Sequence, residues 1–147
     1  MFERQKVPMI IVGDLDQAIA TLAAASFCNR PVMLRSPEST SAAIGPAVFV
    51  ETIKLARANH PKGFAGAIFD CGSQTGLAIA AIRNGYCDII IDMERGTSEK
   101  IKKLAKACNI NALDKKALKD LAPAVLDLKN ATNVSLIVEE FLENTDL

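Results

Sequence analysis

The chain has 147 residues, half of them hydrophobic, and its 17 lysines and arginines balance 17 aspartates and glutamates. This length and hydrophobic content exclude a globally disordered protein and predict a single domain with an adequate core. Zero net charge argues against a nucleic-acid partner, because such partners attract an excess of positive charge.

Nothing in the sequence predicts a membrane protein or a secreted one. No apolar run approaches the roughly 20 residues that span a bilayer, and the run near the N-terminus is shorter than that of a signal peptide. The four cysteines are widely spaced and include no CxxC pair, which is typical of reduced thiols. We therefore expect a cytoplasmic protein without a membrane partner.

Four strand–helix units of about 25 residues each are predicted along most of the chain. The predicted strands lie at 8–12, 32–34, 64–69 and 89–91, and the helices that follow them lie at 15–28, 46–59, 74–84 and 98–108. Each strand is a short apolar run, as expected of strands buried on both faces. The alternation predicts a parallel sheet with right-handed helical connections.

The segment after the fourth unit is harder to interpret. Residues 109–113 could form a fifth, edge strand, and Asp114 is a suitable cap for another helix. Pro123 then kinks that helix or starts a new one. A last helix is predicted at 134–142.

These elements predict one α/β domain over residues 1–147, with βα units at 7–110 and additional C-terminal helices at 111–147. The expected architecture is a four-stranded parallel (βα)4 sheet, half-TIM-barrel-like, with the C-terminal helices beside it. A flat, doubly wound sheet remains the alternative.

Five segments carry a family resemblance. In chain order they are VGDLDQA at 12–18, RPVMLR at 30–35, NHP at 59–61, FDCG at 69–72 and NGYCDIIID at 84–92. Each is similar to the corresponding segment in the N-terminal half of the class II, zinc-dependent fructose- and tagatose-bisphosphate aldolase barrel. The resemblance implies a half-barrel fold and, if the chain is an enzyme, aldolase-related lyase chemistry.

The resemblance also assigns two catalytic candidates. In the family, the aspartate of the third strand is the acid/base and the next residue is a zinc-binding histidine; these positions fall on Asp70 and Cys71. The other family zinc ligands lie mostly in the second half of the barrel, and the single histidine here, His60, precedes a strand on the opposite side from the site. The ligand set is missing, so we predict no bound metal and no other cofactor.

Polar residues follow each of the four predicted strands. They are Asp14, Arg35, Ser36, Asp70, Cys71, Asp92 and Glu94. Because the carboxyl ends of parallel strands share one edge of a sheet, these side chains can converge on a ligand site. Each also has a structural explanation: Asp14 as a helix cap, Arg35 with Asp70 as an ion pair, and Cys71 as a packed thiol.

A phosphate group is one ligand that this edge would suit. Ser39, Thr40 and Ser41 precede the helix that begins at Pro46, and free N–H groups at a helix start favour anions. No nucleotide-binding fingerprint is present. We therefore predict a small-molecule site, with a phosphorylated metabolite as one possible ligand.

Two further functions are kept as alternatives. One is a non-catalytic half-barrel that acts through self-association or a protein partner, and the other is a flavodoxin-like receiver or carrier domain. A homodimer or higher homo-oligomer is expected because the C-terminal segment holds more apolar residues than one helical face requires. These residues are Leu118, Leu121, Val125, Leu128, Leu136, Ile137, Phe141 and Leu142.

Overall fold

The computed structural model describes residues 6–38 and 44–145. The strands are β1 (Met9–Ile11), β2 (Val32–Arg35), β3 (Phe64–Gly72), β4 (Asp88–Ile91), β5 (Ala112–Leu113) and β6 (Val125–Asp127). The helices are α1 (Leu15–Phe27), α2 (Pro46–Asn59), α3 (Thr75–Asn84), α4 (Arg95–Ala107), α5 (Lys115–Leu121) and α6 (Val134–Glu143), with a short 3-10 helix at Pro61–Gly63. None of the described helices is long and apolar enough to cross a membrane.

All six strands form one parallel sheet in the order β5-β4-β3-β2-β1-β6. Strands β1 to β5 lie side by side in chain order, and β6 returns to the far edge beside β1. The prediction of a four-stranded, half-TIM-barrel-like (βα)4 sheet followed only by helices is therefore wrong. The protein is α/β, with a six-stranded parallel sheet.

Of the two additional strands, β5 falls within residues 109–113, which we considered as a possible fifth, edge strand, whereas β6 is not predicted. They contain two and three residues, too few to show a periodic pattern. The spacing of Leu118, Leu121, Val125 and Leu128 imitates a helix face and hides β6. In the structure α5 ends at Leu121, and Ala122, the residue before Pro123, leaves the helical conformation with φ −133° and ψ 81°, since proline disfavours a helical residue before it.

One face of the sheet carries the main core. Helices α6, α1, α2, α3 and α4 pack side by side on this face, because right-handed connections between successive neighbouring strands keep their helices on one side. The rings of Phe49 on α2 and Phe69 on β3 lie 5.7 Å apart in this core. Asp14 caps α1, and Gly85 ends α3 in a left-handed conformation, both as predicted.

The other face of the sheet carries a second, smaller cluster. Met33, Ile68 and Ile90 point to this face and pack with Leu121 of α5. The backbone N–H of Val7, just before β1, donates to Leu121 O. Helix α5 therefore crosses this face from the β5 edge towards β1. A recess lies between α5 and the carboxyl ends of the strands next to it.

Most of the C-terminal apolar residues are used inside the chain. Leu121, Leu128 and Leu142 are buried, whereas Val125 and Leu136 remain exposed. The other three, Leu118, Ile137 and Phe141, are partly buried against the two clusters. The excess apolar surface from which we expected a homodimer is thus largely covered within one chain.

Candidate functional site

A cavity of about 290 Å³ lies where the carboxyl ends of β2, β3 and β4 meet helix α5. Its walls are formed by Arg35, Glu38, Asp70, Gly72, Ser73, Ile90, Asp92, Lys115 and Leu118. Three of the residues that we predicted from the strand ends, Arg35, Asp70 and Asp92, therefore lie together in one recess. The volume is at the lower limit of ligand pockets, which suits a small molecule.

A buried ion pair forms one wall of the cavity. Arg35 Nη2 lies 3.2 Å from Asp70 Oδ2, and the two side chains are only 14% and 8% exposed. Asp70 is itself held by backbone and side-chain hydrogen bonds: Gly72 N–H donates to its Oδ1 at 2.9 Å, and its own N–H donates to Ser36 Oγ at 2.8 Å. This network fixes the orientation of the Arg35 guanidinium.

The local backbone explains how Gly72 reaches Asp70. The register between β3 and β4 shifts between Asp70 and Gly72, and Gly72 has a φ of 55°, which favours glycine. Such an irregularity bends a strand at its end and re-aims its polar groups. Here it turns the Gly72 N–H back onto the carboxylate.

Arg35 has an unused donor in this network. Among the described residues its Nε is buried without a hydrogen-bond acceptor. A buried donor without a partner is uncommon and calls for an explanation. An anionic oxygen from a ligand would supply a charge-assisted bond, and guanidinium groups suit carboxylates and phosphates in particular.

A second ion pair lies on the other side of the cavity. Lys115 Nζ, on the first residue of α5, lies 3.2 Å from Asp92 Oδ2, and the two side chains are 79% and 59% exposed. The Asp92 N–H donates to Gly72 O at 2.8 Å, which holds this strand end beside the first ion pair. Because the pair is exposed to water, it contributes little to stability.

The remaining predicted residues lie outside the cavity. Asp14 caps α1 by accepting from Gln17 N–H at 2.8 Å. Ser36 is buried behind the cavity wall, where it orients Asp70. Glu94 precedes α4 and accepts from Thr97 Oγ1 at 3.4 Å. Each therefore has a structural contact of its own.

Cys71 lies on the opposite face of the sheet from Asp70. Strand β3 extends to Gly72, and neighbouring residues of a strand point to opposite faces. Cys71 is fully buried in the helix-covered core, so it is not at the start of α3. Burial, and secondarily the charge of Asp70, raise the pKa of its thiol to about 12, which disfavours a nucleophilic thiolate.

Alkylation with iodoacetamide tests this placement. We expect Cys108, which is exposed, to react first. Cys71 and Cys87 should react only after unfolding, because burial chiefly raises the pKa of each to about 12. Peptide mass spectrometry gives the order of modification. Rapid labelling of Cys71 in the folded protein, at a rate close to that of Cys108, would contradict the structure.

Several cavity residues escape prediction from the sequence. Lys115 and Leu118 are on α5, whose position over the sheet depends on long-range packing. Gly72, Ser73 and Glu38 lie within three residues of predicted site residues, so their position in the sequence, close to a strand end, could have identified them. The loop that suggested a phosphate site, with Ser39, Thr40 and Ser41, lies outside the described residues.

No grouping of three or more histidine, cysteine, aspartate or glutamate side chains suited to a metal ion occurs within residues 6–38 and 44–145. Neither protein-family models nor curated proteins give a match to the chain. The similarity to class II aldolases therefore stays a prediction made from sequence segments.

Proposed function

We propose that this protein binds a small polar metabolite through an anionic group, in the cavity at the carboxyl ends of β2, β3 and β4. The observation that carries the proposal is Arg35, which is fixed by Asp70 and keeps a buried Nε–H without an acceptor among the described residues. A preoriented guanidinium at the wall of a small recess is suited to a carboxylate or a phosphate.

The position of the cavity supports the same function. Ligands of parallel α/β proteins commonly bind beyond the carboxyl ends of the strands. Both Asp70 oxygens already accept hydrogen bonds, from Arg35 and from Gly72, which favours an orienting role over proton transfer. We therefore propose binding as the function, with a carboxylate or a phosphorylated metabolite as the ligand class.

The flavodoxin-like alternative does not fit the strand order. Flavodoxin-like and receiver domains have the order 2-1-3-4-5, with β1 between β2 and β3. In this sheet β2 lies between β1 and β3. In a flavodoxin-like sheet the ligand binds in a crevice between the neighbouring strands β1 and β3. Here β1 and β3 are not neighbours, so this crevice has no equivalent between them.

Nuclear magnetic resonance on the 15N-labelled protein tests the proposal directly. Propionate and inorganic phosphate are titrated separately into the millimolar range. We expect at least one of them to shift the Arg35 Nε–H signal and the amides of Gly72 and Ser73. Arg35→Lys keeps the charge but loses the guanidinium fork, and it should weaken binding about tenfold.

The matched control is Arg95→Lys. Arg95 is also paired with a carboxylate, Glu99 at 3.3 Å, but its side chain is 93% exposed and does not line the cavity. This variant should bind both probes like the unmodified protein. The proposal fails if neither anion shifts the cavity signals, or if Arg35→Lys and Arg95→Lys have the same effect.

The association state is a separate proposal. Val125 on the β6 edge and Leu136 on α6 are apolar and exposed, and a second copy could cover them. Static light scattering at micromolar concentration distinguishes the cases. A homodimer requires twice the mass of the chain, and a value near 15.7 kDa would show a monomer.

A further inference from the structure

We infer that the ligand of the cavity is a zwitterion, a small amino acid-like molecule whose carboxylate is bound by Arg35 and whose ammonium group is bound by Asp92. This inference rests on the proposed function and specifies its ligand class. It is drawn from the charges that line the cavity and from the unequal burial of its two ion pairs.

The charge of the lining disfavours a ligand with two negative charges. The two cationic side chains of the lining, Arg35 and Lys115, are each already paired with a carboxylate, Asp70 and Asp92. A doubly charged anion such as a phosphate monoester would therefore meet two cations whose charges are already balanced. A ligand with one carboxylate and one ammonium group has no such penalty, because each group can be bound by a side chain of opposite sign.

The two ion pairs can respond differently to a ligand. The Arg35–Asp70 pair is buried and reinforced by the N–H of Gly72, so it stays in place, and the Arg35 guanidinium lines the cavity where an anion would bind. The Lys115–Asp92 pair is exposed, and its lysine can move into water at little cost. Asp92 is therefore the carboxylate that can change partners.

The geometry places the two subsites next to each other. Asp92 N–H donates to Gly72 O at 2.8 Å, and Gly72 N–H donates to Asp70, which pairs with Arg35. Ile90 and Leu118 supply an apolar part of the lining, suited to the methylene groups of a short ligand. The start of α3 adds a partial positive charge near Ser73, on the Gly72 side of the cavity.

Pairs of probes that differ by one amino group test the inference. The pairs are propionate with β-alanine, butyrate with γ-aminobutyrate, and valerate with 5-aminovalerate. Titration calorimetry or the resonance experiment above measures each affinity. We expect at least one amino acid to bind about tenfold more tightly than its parent acid, as a charged hydrogen bond to Asp92 would provide. In Asp92→Asn this advantage should disappear.

Lys115→Met gives the sharpest result, because the two ligand classes predict opposite signs. If Lys115 competes with the ligand ammonium for Asp92, its removal should tighten binding of the best amino acid. If Lys115 instead holds a second anionic group, the same change should weaken binding of phosphate. Lys116→Met removes the next lysine, which is exposed and does not line the cavity, and should change neither affinity.

The outcomes separate this inference from the proposed function. Equal affinity for every amino acid and its parent acid would overturn the zwitterion while leaving an anion site. Weaker binding in Lys115→Met would also overturn it, in favour of a dianionic ligand. If none of the six probes and no phosphate binds, the proposed function itself fails.

Discussion

Gly63→Ala is expected to lower the free energy of unfolding by about 3 kcal/mol and the Tm by roughly 6–12 °C. Gly63 ends the 3-10 helix before β3 and is buried against α1. A Cβ atom there would lie 2.2 Å from Leu22 O and 3.1 Å from Ser26 N. Both are backbone atoms of a packed helix, so neither can move aside as a flexible side chain would.

Gly96→Ala provides the control for this prediction. Gly96 is in the first turn of α4, and an added Cβ would meet nothing within 4 Å. Alanine is the better helix former, so this change should stabilise the protein by up to about 1 kcal/mol. Urea unfolding of both variants measures the difference. If the two glycines tolerate alanine equally, the close approach of the 3-10 helix to α1 is wrong.

Asp70→Asn is expected to destabilise the protein by about 3 kcal/mol, near the lower end for breaking a buried ion pair. The change keeps an oxygen for the Gly72 N–H but leaves the charge of the Arg35 side chain, which is only 14% exposed, uncompensated. Arg35→Met should have a comparable cost, because it isolates the Asp70 carboxylate. The double variant should lose less stability than the two single variants added together, because it leaves no charge buried without its partner.

A double-mutant cycle in urea measures this coupling. The control is Arg95→Met, which breaks an ion pair of similar length between side chains that are 93% and 62% exposed. It should cost less than about 1 kcal/mol. Additive effects of Asp70→Asn and Arg35→Met would show that the two groups do not form a pair in solution.

The first four units can be predicted from the sequence because their signals are local. Helix α2 occupies 46–59, as predicted, since Pro46 fixes its first turn and the residues around Pro61 end it. Helix α4 begins at Arg95, earlier than predicted, because Glu94 occupies the cap position, without a side-chain cap bond to a backbone N–H, and Thr97 and Ser98 lie inside the helix. Local capping residues thus identify a helix better than they locate its first residue.

The candidate site is predictable only in part, and the limit is physical. Arg35, Asp70 and Asp92 can be found because each comes at or just after an apolar run of a parallel strand. Successive residues face opposite sides of the sheet only as long as the strand continues, and β3 continues three residues beyond the predicted Phe69. That extension places Asp70 in the cavity and Cys71 in the core.

Lys115 and Leu118 illustrate a different limit. Their helix faces the sheet because the chain leaves β5 at one edge and returns to β6 at the other, and both strands are too short to show a periodic pattern. Long-range pairing, rather than any local preference, decides which residues close the cavity.

That return from one edge to the other also sets the order in which the molecule can assemble. Strands β1 to β5 pair with their neighbours in sequence, whereas β6 pairs with β1, and Gln17 Nε2 bonds Leu128 O across 111 positions. Closing so large a loop costs entropy before any contact repays it, so we expect this step to come late in folding. Helix α5 is held at both of its ends only when β6 docks, because β5 precedes it and β6 follows it. During refolding, ligand affinity should therefore appear only when β6 pairs with β1, after strands β1 to β5 have already paired with one another.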